Sequence, residues 1–309
     1  MLDPVKLATL RAVIAEGSFS AAGSRLGLTQ PAVSRHVAQL EQRLGTQLVR
    51  RTKRGATPTE AGRLLAAHAG AVLGRLALAE AQVGELAGLR RGTVRLGSFF
   101  TALAFLSAEA AGILEAREPA LFAAGEQVIV DVLVDRRAAL AGLRAGELDL
   151  AVVCEHAFER EDPPGDIELV ALFDDRPCVL MPAGHRHARA ASVRARDLRG
   201  DTWIRVHDGS AARLVDHILG AARIAPEILL AGHGDEPVEA QAFVAAGRGV
   251  TVAHALNVII DPARIAVVPL AGARPVRHVQ AAMARGQRAP LPLALLDALR
   301  EAGARRERR

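Results

Sequence analysis

The chain has 309 residues, half of them hydrophobic, and a formal net charge of +5. That length accommodates two or three domains with real cores, yet no run approaches the roughly 18 consecutive apolar residues of a membrane span. Residues 1–90 hold 12 of the 39 Lys and Arg but only 6 of the 34 Asp and Glu, so the positive excess lies in the first third, as expected of one module that meets a polyanion on a near-neutral body.

The opening "MLDPVKLATLRAVIAEG" carries acids at Asp3 and Glu16 and no apolar signal core, which argues against secretion. Residues 4–16 follow a helical pattern through Leu7, Leu10, Val13 and Ile14. Gly17 ends it, and Ser18 suits the N-cap of a short helix over about 19–26. Gly27 and Leu28 form a tight turn, Thr29 caps a third helix with Pro31 in its first turn, and Gly45 stops it. Two short helices joined by a glycine-containing turn predict a helix-turn-helix. In "TQPAVSRHVAQLEQRLG" (29–45), Val33, Val37, Leu40 and Leu44 form an apolar stripe, while Thr29, Gln30, Pro31, Ser34 and Arg35 form a slim polar face.

Such a face suits the major groove, which needs close backbone approach and side chains that pair with phosphates and base edges. Thr29 and Ser34 offer hydroxyls, Gln30 can pair with adenine, and Arg35 with guanine or phosphate. Pro31 and Ala32 keep the leading end narrow. The cluster Arg50, Arg51, Lys53 and Arg54 follows, with Gly55 and Pro58 interrupting regular structure. By itself it could be a merely solvated charge run; next to this helix-turn-helix it reads as a wing that holds phosphate or reaches the minor groove.

Thr59 begins a long helix through about Gly88. Leu65, Ala69, Val72, Leu76, Ala79, Val83 and Leu86 recur by fours and threes, a coiled-coil seam about 40 Å long that predicts pairing with another copy. Beyond Arg91, β-rich runs alternate with helical ones: "TVRLGSFF", "QVIVDVLVD" (127–135), "RRAALAGLRAGE", "LDLAVV" (148–153), then "IELVALFDDRPCVLMPAG", "TWIRVH", "EILLAG", "GVTVAHA" and "IAVVPL", with helices near 211–222 and 236–247 and a terminal one in "PLPLALLDALREAG". This order predicts parallel sheets with crossover helices. A Pro- and Gly-containing crossover near 162–170 would divide two lobes around a cleft.

Residues 18–62, above all "TQPAVSRHVAQLEQRLG" and the closing "TPTEAG", resemble the N-terminal domain of LysR-type transcriptional regulators, and "GELDLAVV" (146–153) and "LVALFDDRPCVLMPAGH" (169–185) resemble the family's effector-binding lobes. Residues 115–127 are longer than the family's usual helix-to-strand link, and "VTVAHALN" (250–257) lacks the proline often found there.

The resemblance implies an N-terminal all-α winged helix-turn-helix (1–58), a long coiled-coil linker helix (59–89), and a C-terminal α/β two-lobed, periplasmic-binding-protein-like effector domain (90–309). Lobe I would take about 91–162 and 270–301, and lobe II about 169–269. It also implies a small-molecule effector between the lobes and a homodimer through the 59–88 helix, assembling into a homotetramer. The operator would be double-stranded DNA with an interrupted inverted repeat, and RNA polymerase a further partner.

Cleft candidates are Ser98, Phe100 and Thr101 after the first strand, Glu155 (with His156 beside it), and His207, Gly209 and Ser210 in "VHDGS". A helix start at Ser98 and Thr101 favours a carboxylate ligand, with simple N-capping an equal alternative. Cys154 and Cys178 form no disulfide framework and have no metal-ligand spacing. A reducing cytoplasm follows. One subgroup of the resembled family senses oxidants, but apolar strands around both cysteines, with Arg176 the only adjacent cation, favour inert packing. No Ser-His-Asp set, phosphate loop or metal spacing points to an enzyme, and no metal or cofactor is expected. A solute-binding protein would share the two-lobed fold, but it would call for a signal peptide and no helix-turn-helix.

Overall fold

The computed structural model describes residues 1–52, 55–86, 93–122, 129–159, 162–232, 237–258, 263–272 and 276–307. Three helices open the chain: α1 (Pro4–Glu16), α2 (Phe19–Leu26) and α3 (Gln30–Leu44). Each predicted cap is in place. Ser18 Oγ accepts from Ala21 N, Thr29 Oγ1 accepts from Ala32 N, and Gly17, Gly27 and Gly45 end their helices at positive φ, where a residue without Cβ meets no steric penalty. The turn also depends on Gly23, because a Cβ there would sit 2.7 Å from the Leu28 carbonyl oxygen.

The predicted wing is a hairpin rather than an irregular loop. β1 (Val49–Thr52) pairs antiparallel with β2 (Gly55–Pro58), so Gly55 and Pro58 lie within regular structure. Pro58 is tolerated because the hairpin has a free edge that asks no N–H of it. Leu7, Leu10, Val13, Val33, Val37, Leu40, Leu48 and Val49 form the core of this head. Leu44, expected on the apolar stripe, is exposed at the last residue of α3.

Thr59 caps α4 (Glu60–Leu86) by accepting from Gly62 N. Its predicted seam is divided. Ala69 is buried in the head core, with Leu65 and Leu73 packed against it, whereas Val72, Leu76, Ala79 and Val83 stay exposed. Residues 87–89 of the expected helix lie outside the described residues.

The remainder forms two lobes. Lobe I is built on a five-stranded sheet in the order β4-β3-β5-β12-β6: β4 (Ile129–Leu133), β3 (Val94–Ser98), β5 (Leu150–His156), β12 (Arg277–Ala284) and β6 (Ile167–Asp175). A π-helical turn (Ala102–Ser107) leads into α5 (Ala108–Arg117) and the single turn α6 (Pro119–Phe122). These, with α7 (Arg136–Ala145) and α10 (Pro290–Glu307), complete the lobe. In lobe II, β7 (Pro177–Pro182) pairs antiparallel with β10 (Thr251–His254) and β11 (Ile265–Pro269). There β8 (Trp203–Arg205) pairs parallel with β9 (Ile228–Leu230), alongside α8 (Gly209–Ala222) and α9 (Pro237–Ala245).

Two expectations are corrected. The sheets are not uniformly parallel: β3 runs parallel to β4 and β5, but β12 is antiparallel to both its neighbours, as is β7 to its own. The first crossover is not at 162–170 but at Asp175–Pro177, since β6 still pairs with β12 in lobe I. Two apolar runs, 167–173 and 177–182, serve the two lobes, and the charged Asp174, Asp175 and Arg176 between them mark the break. Strand β12, which no predicted element covered, closes the lobe I sheet between β5 and β6.

Candidate functional sites: a nucleic-acid face and an interlobe cleft

On the head, Thr29, Gln30, Pro31 and Arg35 are exposed at the leading end of α3, and Arg50 is exposed on β1. The Thr29 hydroxyl is engaged in capping. Arg51, though exposed, reaches back from the wing: its Nη2 donates to Ser34 Oγ at 2.5 Å, and its guanidinium lies 4.4 Å from the centre of the Phe19 ring. It therefore ties the wing to both α2 and α3, and Ser34 is the anchor it uses. Glu41 strengthens the same junction, its carboxylate accepting from Leu48 N and Val49 N at 2.8 and 3.1 Å. Lys53 and Arg54 lie outside the described residues. Thr9 Oγ1 meets His36 Nδ1 at 3.0 Å and locks α1 to α3 from below. The result is a rigid platform that presents Gln30, Pro31 and Arg35 beside an exposed Arg50.

The cleft lies where both crossovers meet. It is lined by His156, Ser210, Gln241, His254, Asn257 and Arg277, with Leu180, Val206, Leu214 and Val252 supplying apolar wall. The space inside it is about 30 Å³, room for about two waters. A buried ion pair anchors its floor. Arg277 Nη2 donates to Asp175 Oδ2 at 2.5 Å and to Asn257 Oδ1 at 2.9 Å, and Thr101 Oγ1 donates to the same Asn257 oxygen at 2.9 Å. Gln241 Nε2 donates to the Asn257 carbonyl at 2.7 Å. Asn257 thus joins a lobe I helix start, the returning strand β12 and helix α9. Rings cross the cleft mouth: His254 stands 5.1 Å from His156, which stacks at 5.1 Å on Phe158, itself 4.3 Å from His217 of α8.

Of the residues expected in the cleft, Ser210 lines it and Thr101 reaches it through Asn257. Ser98 does not: fully buried, it bonds Ser107 Oγ at 2.9 Å inside lobe I, because the π-helical turn brings Ser107 over the strand end. Neither capping nor ligand contact describes it. Phe100 is exposed. Glu155 turns to the opposite face of the sheet, 3.7 Å from Arg136, since strand residues alternate sides and His156 takes the cleft side. His207 is exposed at the rim, with its backbone N–H on the Gly232 carbonyl, and Gly209 has a φ of 86° that starts α8.

Gln241, His254, Asn257 and Arg277 were not anticipated. A histidine closing "VTVAH" was the available signal; Arg277 had none, because its strand was unread. Cys178 is buried, its Sγ donating to the Ala253 carbonyl at 3.4 Å. Burial, reinforced by the Asp175 charge, pushes its thiol up to about 12. Among the described residues no group of three His, Cys, Asp or Glu could hold a metal ion, and no helix is long and apolar enough to cross a membrane.

The profile described as "Bacterial regulatory helix-turn-helix protein, lysR family" matches residues 5–63, and "LysR substrate binding domain" matches 87–304. A probable RuBisCO transcriptional regulator of Emiliania huxleyi is 30% identical over 218 residues, 69% of this chain and 65% of that protein. The regulator CbbR of Sinorhizobium medicae is 31% identical over 216 residues, 68% and 63% of the two chains. The chain thus aligns with slightly under two thirds of each relative's length. A single-residue variant of full-length OxyR from Pseudomonas aeruginosa shares the fold with a TM-score of 0.73 at 23% identity, covering 98% of this chain and 95% of that one. CbnR, a LysR family transcriptional regulator, gives 0.63 at 19% identity, covering 97% and 99%. With both of its domains matched in order over nearly its whole length, the chain belongs to the LysR family of helix-turn-helix transcriptional regulators.

Proposed function

We propose that the protein binds specific operators through the α3 face and that a small molecule held between the lobes modulates this binding. The observation that carries the reading is the head itself: a rigid helix-turn-helix with Gln30, Pro31 and Arg35 exposed at the leading end of α3 and a wing braced against it by Arg51. Gln30 and Arg35 read base edges and Pro31 keeps the approach close, while Thr29 and Ser34 position the helix. Arg50, with Lys53 and Arg54 close by in sequence, supplies phosphate affinity.

Pairing follows from α4. The exposed stripe of Val72, Leu76 and Val83 is left over after the head has used Leu65 and Ala69, and a second copy is the partner of matching chemistry. Two heads so joined require an interrupted inverted repeat. Exposed Val132 and Leu133 on edge strand β4, and Ile228 and Leu230 on edge strand β9, support further association into a homotetramer. Such a complex works in the cytoplasm, where RNA polymerase meets the same DNA. The effector reading rests on a polar cleft at the hinge between two lobes, with Ser210, Gln241, His156, His254 and Arg277 as its contacts.

The test is selection of bound duplexes from a random pool by the full-length protein. Recovery of one inverted repeat, lost with Arg35→Ala, is the expected result; recovery of unselected DNA overturns sequence-specific regulation. A thermal-shift screen with cytosolic metabolites tests the effector part, since a ligand of the native cleft raises the melting temperature by mass action.

A further inference from the structure

The head and lobe I touch in a way that leaves no room for side chains. A Cβ built on Gly74 of α4 would lie 2.7 Å from Gly146 N and 2.8 Å from Gly146 Cα, just past the end of α7. A Cβ on Gly146 would run into Gly74 Cα in turn. One turn earlier, Gly70 approaches Ala145 less tightly, its Cβ position 3.3 Å from that residue's Cα and Cβ. Gly146 also has a φ of 67° as the C-cap of α7, so glycine is required there twice over. Polar contacts flank this backbone packing. Arg11 of α1 pairs with Glu147, and Arg75 of α4 donates to the Arg285 carbonyl at 3.1 Å.

The two lobe I contact points share a second property. Glu147 lies just before β5, and Arg285 just after β12. These strands are antiparallel neighbours, with His156 opposite Arg277 at the far end. Both of those residues line the cleft. One strand pair about 20 Å long therefore has cleft residues at one end and the linker helix at the other. Its near end is stiffened by Arg95, which grips Asp149 through Nε and Nη2 at 3.2 and 3.0 Å.

We propose that the Gly74–Gly146 contact, with Arg11–Glu147 and Arg75–Arg285, is a latch holding the DNA-binding head on lobe I, and that the β5–β12 pair transmits the state of the cleft to it. The proposal rests on the regulatory reading above for its purpose, though not for its test. A surface ion pair such as Arg11–Glu147 adds little by itself. The glycine contact sets the fit, and the strand pair moves as a unit because its ladder and core packing resist bending. Parting of the lobes displaces His156 and Arg277 and, because β3 and β6 hold the β5–β12 pair in register, tilts it with the lobe I sheet, loosening its grip on α4.

The experiment uses the full chain with Cys154→Ser, Gly70→Cys and Ala145→Cys, and follows disulfide formation within one chain under mild oxidation. The close approach of the two Cβ positions should make cross-linking rapid. Glu147→Arg should slow it several-fold, and Arg11→Glu in the same chain should restore it. Asn257→Ala, which unties Thr101 and Arg277 in the cleft, should slow it by about tenfold, the change for a segment that has begun to open locally. Failure to cross-link in a protein with native circular dichroism overturns the latch. Normal cross-linking that ignores Asn257→Ala overturns the strand-pair coupling. Neither readout involves DNA or a ligand, so a protein without operator specificity would sink the regulatory reading and leave these outcomes standing.

Discussion

Arg51 sits in a DNA-binding head, next to a run of cations, and yet is spent on holding that head together. Its guanidinium joins Ser34 and Phe19, so Arg51→Ala should weaken binding to every duplex alike by loosening the wing. Arg35→Ala, by contrast, should lose affinity for the operator selectively, by about 1–3 kcal/mol if the side chain reads a base. Paired titrations on operator and random duplex separate the two, and equal loss for Arg35→Ala would make it a phosphate contact. Cys178 is the opposite case, a reactive residue type made inert. With its thiol raised to about 12 by burial, only on the order of one molecule in 10⁴ carries a thiolate at pH 8. Iodoacetamide should leave Cys178 unlabelled in native protein and label it in guanidinium; native labelling would revive a redox role.

Among the elements, α4 shows how one amphipathic helix divides its apolar surface between two tasks. Leu65 and Ala69 serve the head, and Val72, Leu76 and Val83 remain for a partner. Leu76→Asp should give a monomer or a weakened dimer by light scattering; a fully intact dimer would place the interface elsewhere. In lobe II, the loop after β7 is closed by Asp201. Burial pushes the Asp201 carboxyl up, and hydrogen bonds from Arg186 and His185 outweigh it, leaving the group below its ordinary value of 3.8. A depressed carboxyl contributes stability above its unfolded value and loses it as pH falls through the folded one. Melting temperatures should therefore drop below about pH 4, and Asp201→Asn should flatten part of that drop. The effect is small because Arg186 is half exposed.

At the scale of the whole molecule, the Asp175–Arg277 pair is the joint on which the lobes meet. Both groups are buried, so Arg277→Met should strand a carboxylate in the interior and cost about 3–5 kcal/mol in denaturant unfolding. An unchanged midpoint would mean that water reaches Asp175 when the lobes move. The same pair divides what could be read early from what could not. The head was legible because its caps, its turn glycine and its polar face fall within a few dozen consecutive residues, where local chemistry dictates local structure. The cleft was legible only at His156 and Ser210, because Gln241, His254 and Arg277 come from three further elements across both lobes that no local pattern joins. Ser98 and Glu155 were placed in it by their positions at strand ends, yet strand alternation and the π-helical turn point them elsewhere.

By itself, then, the sequence determined the helix-turn-helix, its caps, the long linker helix and the alternation of strands and helices behind it, all of which follow from periodicity and turn chemistry at short range. Only the tertiary structure decided where the chain crosses between lobes, that β12 completes the lobe I sheet, which part of α4 remains uncovered, and that Gly74 meets Gly146. Those outcomes depend on contacts between residues far apart in the chain, where a glycine or a strand has no local signature of what will pack against it.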